Sequence, residues 1–183
     1  MRIQLGVWVL AFVLVMSSAR ALGYLNLEEK SSSIAVEMRQ NFSISKTEKI
    51  TIFLASVANG AAEARRYPIR GAVIKLDGIE LSNISDDELA GLMAHELAHL
   101  ETYWGMNWLQ LAFYGLRYEF SGDFRRETER ETDMVAIQRG FGRELASFRE
   151  YRLRTASDAD KKIIEEYYLS PEEIKTFTNK SLS

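Results

Sequence analysis

The tightest constraint on how this chain can fold is the pentapeptide His95-Glu96-Leu97-Ala98-His99. On a helix, imidazoles four residues apart are separated by about 6 Å of rise and nearly one full turn, so both project from one face toward a single ion. Glu96 follows His95 by about 100° of rotation, which sets its carboxylate beside such an ion, where an attacking water would sit. The spacing has this meaning only if the segment is helical, and the local signals predict a helix over Asp86 to Glu101. Ser85 and Glu88 have the form of a capping box at its start. Leu89, Leu92, Met93, Leu97 and Leu100 recur at three- and four-residue intervals, an apolar stripe that fixes the helix against a core. The chain has 183 residues and only 2 histidines, both inside this motif. Random placement, with a glutamate after the first histidine, yields the pattern on the order of once in a thousand. The expectation is therefore a bound metal, with zinc first.

A zinc ion held by two histidines needs a third protein ligand, and an open fourth position if it is to be catalytic. The acidic run Arg126-Glu127-Thr128-Glu129-Arg130-Glu131-Thr132-Asp133 offers carboxylates for that role. Glu129 and Asp133 share a helix face, so Glu129 could bind the metal while Asp133 accepts the other ring N–H of a zinc histidine. Glu127 with Glu131 forms a rival register. The plain alternative is a solvated helix face laced with Arg125, Arg126 and Arg130.

Met1 to Ala21 reads as a secretory signal peptide: Arg2 gives the positive start, Ile3 to Met16 the apolar stretch, and Ala19-Arg20-Ala21 the small-residue cleavage site. The apolar stretch falls short of the about 20 residues of a membrane-spanning helix, so cleavage and export to a periplasm or the exterior are expected. The chain has no cysteine, which excludes a disulfide scaffold and a lipidated lipoprotein. The mature domain must stand on its apolar core. Its formal charge of −3 becomes −5 without Arg2 and Arg20, an acidic balance that argues against nucleic acid as a partner. The Asn-X-Ser triplets at Asn41, Asn83 and Asn179 are read as chance matches.

The expected layout is a polar lead-in with a short helix (22–48, the helix over Ile34 to Phe42), a core (49–155) and C-terminal helices (156–183). Lys49 to Leu54 reads as a strand; Asn59-Gly60 marks a turn; Ala61 to Arg66 reads as a connector. Pro68 precedes a second strand, Ile69 to Leu76, closed by Asp77-Gly78. Two such strands make a small sheet beside the histidine helix, whose edge could hold an extended peptide. Met106 to Phe120, dense in aromatic residues, reads as a core helix under the site. The alternative is an exposed aromatic surface that touches membrane or unfolded substrate. Gly140 is expected to end a helix, followed by helices over Arg143 to Arg154, over Asp158 to Tyr168 and from Ser170-Pro171-Glu172-Glu173. These last helices should pack on the core or cover its cleft.

Taken in order, Asn59 to Ala62, Pro68, Asp77-Gly78-Ile79, the histidine motif, and Glu129 to Asp133 followed by Ala136 and Gly140-Phe141 resemble the gluzincin family of the CAAX prenyl endopeptidase and the bacterial membrane heat-shock protease. The resemblance spans Ile50 to Arg143. It implies a mostly helical α+β zincin-like metallopeptidase domain with a small sheet, one zinc ion on His95, His99 and Glu129, Asp133 supporting a histidine, and Glu96 as general base. It thereby selects Glu129 over the rival register. Thr132 departs from the alanine usual there, and the multiple membrane spans of the best-known members have no counterpart. The implied activity is zinc-dependent hydrolysis of protein or peptide substrates by an exported endopeptidase, with peripheral membrane contact. The alternative is a zinc-holding, weakly active, chaperone-like module of the same fold. Gluzincins usually add a Tyr, His or Arg at the oxyanion; Tyr103, Tyr114, Tyr118, Arg125 and Arg126 are the candidates here.

Overall fold

The computed structural model describes residues 23–57, 60–67 and 71–181. The signal-peptide reading, and the expectations placed on Asn59, Pro68 and Ile69, lie outside the described residues. The architecture is α+β: helices dominate, and one three-stranded sheet packs beside them.

The chain starts in a helix, α1 (residues 23–38), which ends in a 3-10 turn at Arg39–Asn41. This corrects the reading of Tyr24 to Ser33 as an irregular lead-in. Ser31, Ala35 and Met38 form the buried stripe, with half-buried Leu27 one turn earlier. Two of these four positions are small or polar, which hides the helical period from a hydrophobicity pattern. Ser31 is accommodated because its hydroxyl donates to the Leu27 carbonyl at 2.7 Å.

The sheet contains β1 (Ile50–Leu54), β2 (Ala62–Tyr67) and β3 (Gly71–Leu76) in the order β1-β3-β2. Strand β3 is central, parallel to β1 with Ile50 opposite Ala72, and antiparallel to β2 with Ala62 opposite Leu76. Its alternation is clean: Ala72, Ile74 and Leu76 point into the core. The stretch Ala61 to Arg66, expected to be a connector, is largely strand β2. Its face toward the core carries Ala62, Ala64 and Arg66 in place of β-branched residues, so it lacks the usual strand signature. Among the described residues no strand pairs with the outer side of β2.

Helix α2 (Asp86–Trp104) carries the histidine motif and runs three residues further than expected, to the break at Gly105. The Ser85–Glu88 capping box forms at its start: the Glu88 N–H donates to Ser85 Oγ, and the Ser85 N–H donates to Glu88 Oε2. All ten residues from Gly91 to Leu100 are buried, so α2 is the axis of the core, not a surface helix with one apolar face. It packs on β2, α4 (Gly122–Ala136) and α5 (Gly142–Thr155). At Gly91 an added Cβ would lie 2.1 Å from the Glu144 carbonyl oxygen, so α2 and α5 meet backbone to backbone.

Between α2 and α4 lies α3 (Trp108–Phe120), opened by a capping box of Asn107 and Gln110. The expectation of a core helix is overturned, for no residue of α3 is buried. Leu109, Phe113, Leu116 and Phe120 form one exposed apolar ridge, while Leu111, Tyr114 and Tyr118 face inward. After α4, the segment Ile137–Phe141 is kinked at Gly140, whose φ of 94° breaks the helix before α5. Helices α6 (Asp158–Tyr167) and α7 (Pro171–Ser181) then pack on α4 and α5. No helix among the described residues is long and apolar enough to cross a membrane.

Candidate metal centre

Helix α4 crosses α2 so that its stripe at four-residue spacing, Arg125-Glu129-Asp133, faces the histidines. Glu129 and Asp133 are buried, whereas Glu127 and Glu131 of the rival register face solvent. The structure thus brings together all five residues singled out from the sequence: His95, Glu96, His99, Glu129 and Asp133. Glu129 Oε2 lies 3.1 Å from His95 Nε2 and 3.4 Å from His99 Nε2. One donor atom from each of these residues lies within 4.8 Å of the others, a buried group that could hold a metal ion.

The tautomers sharpen this point. His95 Nδ1–H donates to Asp133 Oδ1 at 2.8 Å. Thr132 Oγ1 lies 3.3 Å from His99 Nδ1 and donates its single proton to the Thr128 carbonyl at 2.9 Å, so it accepts from the ring. With both Nδ1 atoms protonated, a neutral imidazole turns a lone pair at Nε2 toward Glu129. Glu129 Oε2 correspondingly finds no hydrogen-bond donor, though both rings are near. Two nitrogen lone pairs and a carboxylate oxygen converging in a buried place require a cation between them, a proton or a metal. Without a metal, burial disfavours the His95 cation, but the carboxylates of Asp133 and Glu129 overcome it and push the pKa up to about 10. Burial would likewise raise Glu129, yet the facing rings of His99 and His95 hold it well below the usual carboxylate range.

A buried relay supports His95. Asp133 also accepts both bonds from Arg149 Nη2, at 3.0 and 3.0 Å, and one from the Leu169 N–H at 3.0 Å. Its burial would raise its pKa, but Arg149 and His95 lower it, so it remains an anion. Sequence reasoning did not find Arg149, Tyr168 or the use made of Thr132. Arg149 had a signal, since a charged residue within the buried stripe of α5 demands a buried counter-charge. Tyr168 had none, because it follows α6 on a short connector and reaches the site only through the tertiary fold.

Glu96 is buried, with Oε2 unpartnered, and burial raises its pKa. Both histidines and Glu96 open onto a cleft of about 600 Å³ bounded by β2, the inner side of α3 and Arg125. A smaller cavity of about 90 Å³ adjoins His95 and Glu96 under α5 and α6. A third hollow, of about 650 Å³, lies between the start of α1 and Gly78 to Leu89 and is lined by none of these groups. Aromatic rings line the cleft wall: Tyr103 stacks on His99 at 5.8 Å, and Tyr114 meets Tyr103 edge-on at 5.6 Å. Tyr118 donates its hydroxyl to Glu129 Oε1, and burial raises its pKa. The Tyr168 ring lies 5.7 Å from His95 and 4.2 Å from the Arg149 guanidinium. Of the expected oxyanion candidates, Arg126 faces away, into a shallow surface hollow with Leu169 and Phe177, and is removed from the set.

Comparison with protein-family models, with curated proteins and with solved structures finds no match.

Proposed function

We propose that the protein is an exported zinc-dependent endopeptidase with a zincin-like catalytic domain. One observation carries the reading: His95, His99 and Glu129 present three donor atoms to one buried point, and Glu96 stands beside it with an unpartnered carboxylate oxygen. The set is two nitrogens and one oxygen without sulfur, which suits a catalytic zinc with an open position better than a closed structural one. His95, His99 and Glu129 would hold the ion, while Asp133 and Thr132 fix the two ring tautomers. A bound zinc supplies Lewis acidity, which polarises a carbonyl and makes water a nucleophile near neutral pH.

The chain's own groups do the rest. Glu96 accepts the proton of the attacking water and passes it to the leaving amine, a transfer worth about 10²- to 10⁴-fold in rate. Its burial favours a carboxyl that both takes and gives a proton. The outer edge of β2 borders the cleft and offers backbone donors and acceptors to an extended peptide. Tyr118, donating to Glu129, keeps that carboxylate oriented.

The decisive experiment measures bound zinc and cleavage of an unfolded protein for the wild type and Glu96→Gln. Zinc is expected to stay while cleavage falls about 10²-fold or more; equal cleavage by both would remove the assigned base. A second reading, a zinc-holding chaperone-like module that captures unfolded chains or rests on a membrane, is favoured by the exposed apolar ridge of α3. Wild-type protein that holds zinc and binds unfolded chains without cutting them would select it.

A further inference from the structure

The arginines that border the two cavities differ in one respect. Arg149 is neutralised by Asp133, Arg152 donates to Glu80 at 2.5 Å, and Arg66 gives its protons to the carbonyls of Tyr103 and Met106. Arg125 has neither a carboxylate within ion-pair distance nor a backbone carbonyl on its guanidinium among the described residues; its buried Nε–H has no partner, as is also true of Arg66 and Arg149. Its guanidinium lies 5.3 Å from the centre of the Tyr118 ring and 4.9 Å from that of Tyr167. Packing against rings fixes a guanidinium and strips part of its hydration, and the Tyr118 hydroxyl, which bonds it, brings no carboxylate charge to neutralise it.

Its position is equally specific. Arg125 precedes Glu129 by four residues and so lies one turn away on the same face of α4. It borders both the large cleft and the small cavity, as do His95 and Glu96. Glu129 acts on it only at longer range, and a divalent cation on Glu129 would cancel that influence. A loaded centre therefore leaves a fixed, uncompensated guanidinium beside the reacting groups.

We propose that Arg125 binds a carboxylate of the peptide, at the junction where the cleft passes into the small cavity. The planar fork of its remaining N–H groups matches a carboxylate in two parallel hydrogen bonds. Leu92, Phe148, Ile163 and Ile164 line the small cavity and receive the apolar part of the residue that carries the charge. Two sources share this chemistry: the C-terminal carboxylate of a peptide, or an acidic side chain within it. Glu63 and Glu119 border the large cleft and Asp160 lines the small cavity, so the negatively charged part of a substrate is drawn to Arg125 at the junction between them. The role depends on the proposed function only in that a peptide occupies the cleft.

The test is binding, not turnover. Zinc-loaded Glu96→Gln protein is titrated, by fluorescence anisotropy, with three short labelled alanine peptides: one amidated at its C-terminus, one with a free C-terminus, and one amidated with a central glutamate. The same titrations are made in that background with Arg125→Met, which keeps the apolar stem between the two rings, and with Arg125→Lys. At least one carboxylate peptide is expected to bind more tightly than the amidated neutral one. Arg125→Met should weaken that peptide about 10- to 100-fold and leave the neutral one unchanged, with Arg125→Lys in between. Which peptide responds identifies the source. If Arg125→Met does not fold, the Arg125→Lys comparison carries the test, because loss of the bidentate fork must still weaken the carboxylate peptide selectively. Equal loss for all three peptides, no loss, or no binding of either carboxylate peptide would overturn the assignment. Because Glu96→Gln removes the base, failure to cleave leaves this result untouched, and cleavage by the wild type without carboxylate dependence would overturn Arg125's role alone.

Discussion

Helices α3 and α4 are neighbours of similar length that reverse the usual relation between sequence and burial. Helix α3 is the more apolar, and none of its residues is buried; α4 is rich in charge, yet it buries Thr128, Glu129, Thr132 and Asp133. The difference lies in what each face meets. The polar stripe of α4 finds complementary groups on α2 and α5, so that each buried charge has a partner or a place for a cation. The apolar ridge of α3 stays exposed, while its tyrosines border the cleft together with Leu111, Gly115 and Glu119. Burial follows complementarity as much as hydrophobicity.

The contrast can be broken hardest on α4. Asp133→Ala leaves the Arg149 guanidinium buried without its anion and frees the Leu169 N–H and the His95 ring, so it should cost about 3–5 kcal/mol of stability in urea unfolding. A loss below about 1 kcal/mol would mean that the relay does not hold the helices together. Thr132→Val is nearly isosteric and removes the acceptor for His99 Nδ1–H together with the donor to the Thr128 carbonyl. Zinc affinity should fall about tenfold or more, and Thr132→Ser should restore it. Unchanged affinity would mean that His99 needs no fixing. On α3 the double change Phe113→Ser, Leu116→Ser should shift stability by no more than about 0.5 kcal/mol. A drop comparable to that of Asp133→Ala would erase the distinction between the two helices.

The centre was legible because its chemistry is written in short-range spacings: four residues between the histidines, four between Glu129 and Asp133, and a capping box that marks where α2 begins. The choice between Glu129 and Glu127 came from the family resemblance, and the structure places the former inside and the latter in solvent. Strand β2 and the first half of α1 escaped because alanines, Ser31 and Arg66 occupy inward positions that a hydrophobicity pattern assigns to the surface. Helix α3 misled for the opposite reason: an apolar stripe was read as buried when it is only one-sided. Arg149 and Tyr168 come from segments more than ten residues beyond the acidic helix, and only packing brings them to His95.

Gly91 lies on α2 where that helix presses against Glu144. Any side chain there would pry α5 away, and α5 carries the guanidinium that steadies Asp133 and, through it, the ring of His95. A position with no functional group thus governs the aim of one that has a chemical task. A single added methyl at Gly91 would be felt one helical turn on, at His95.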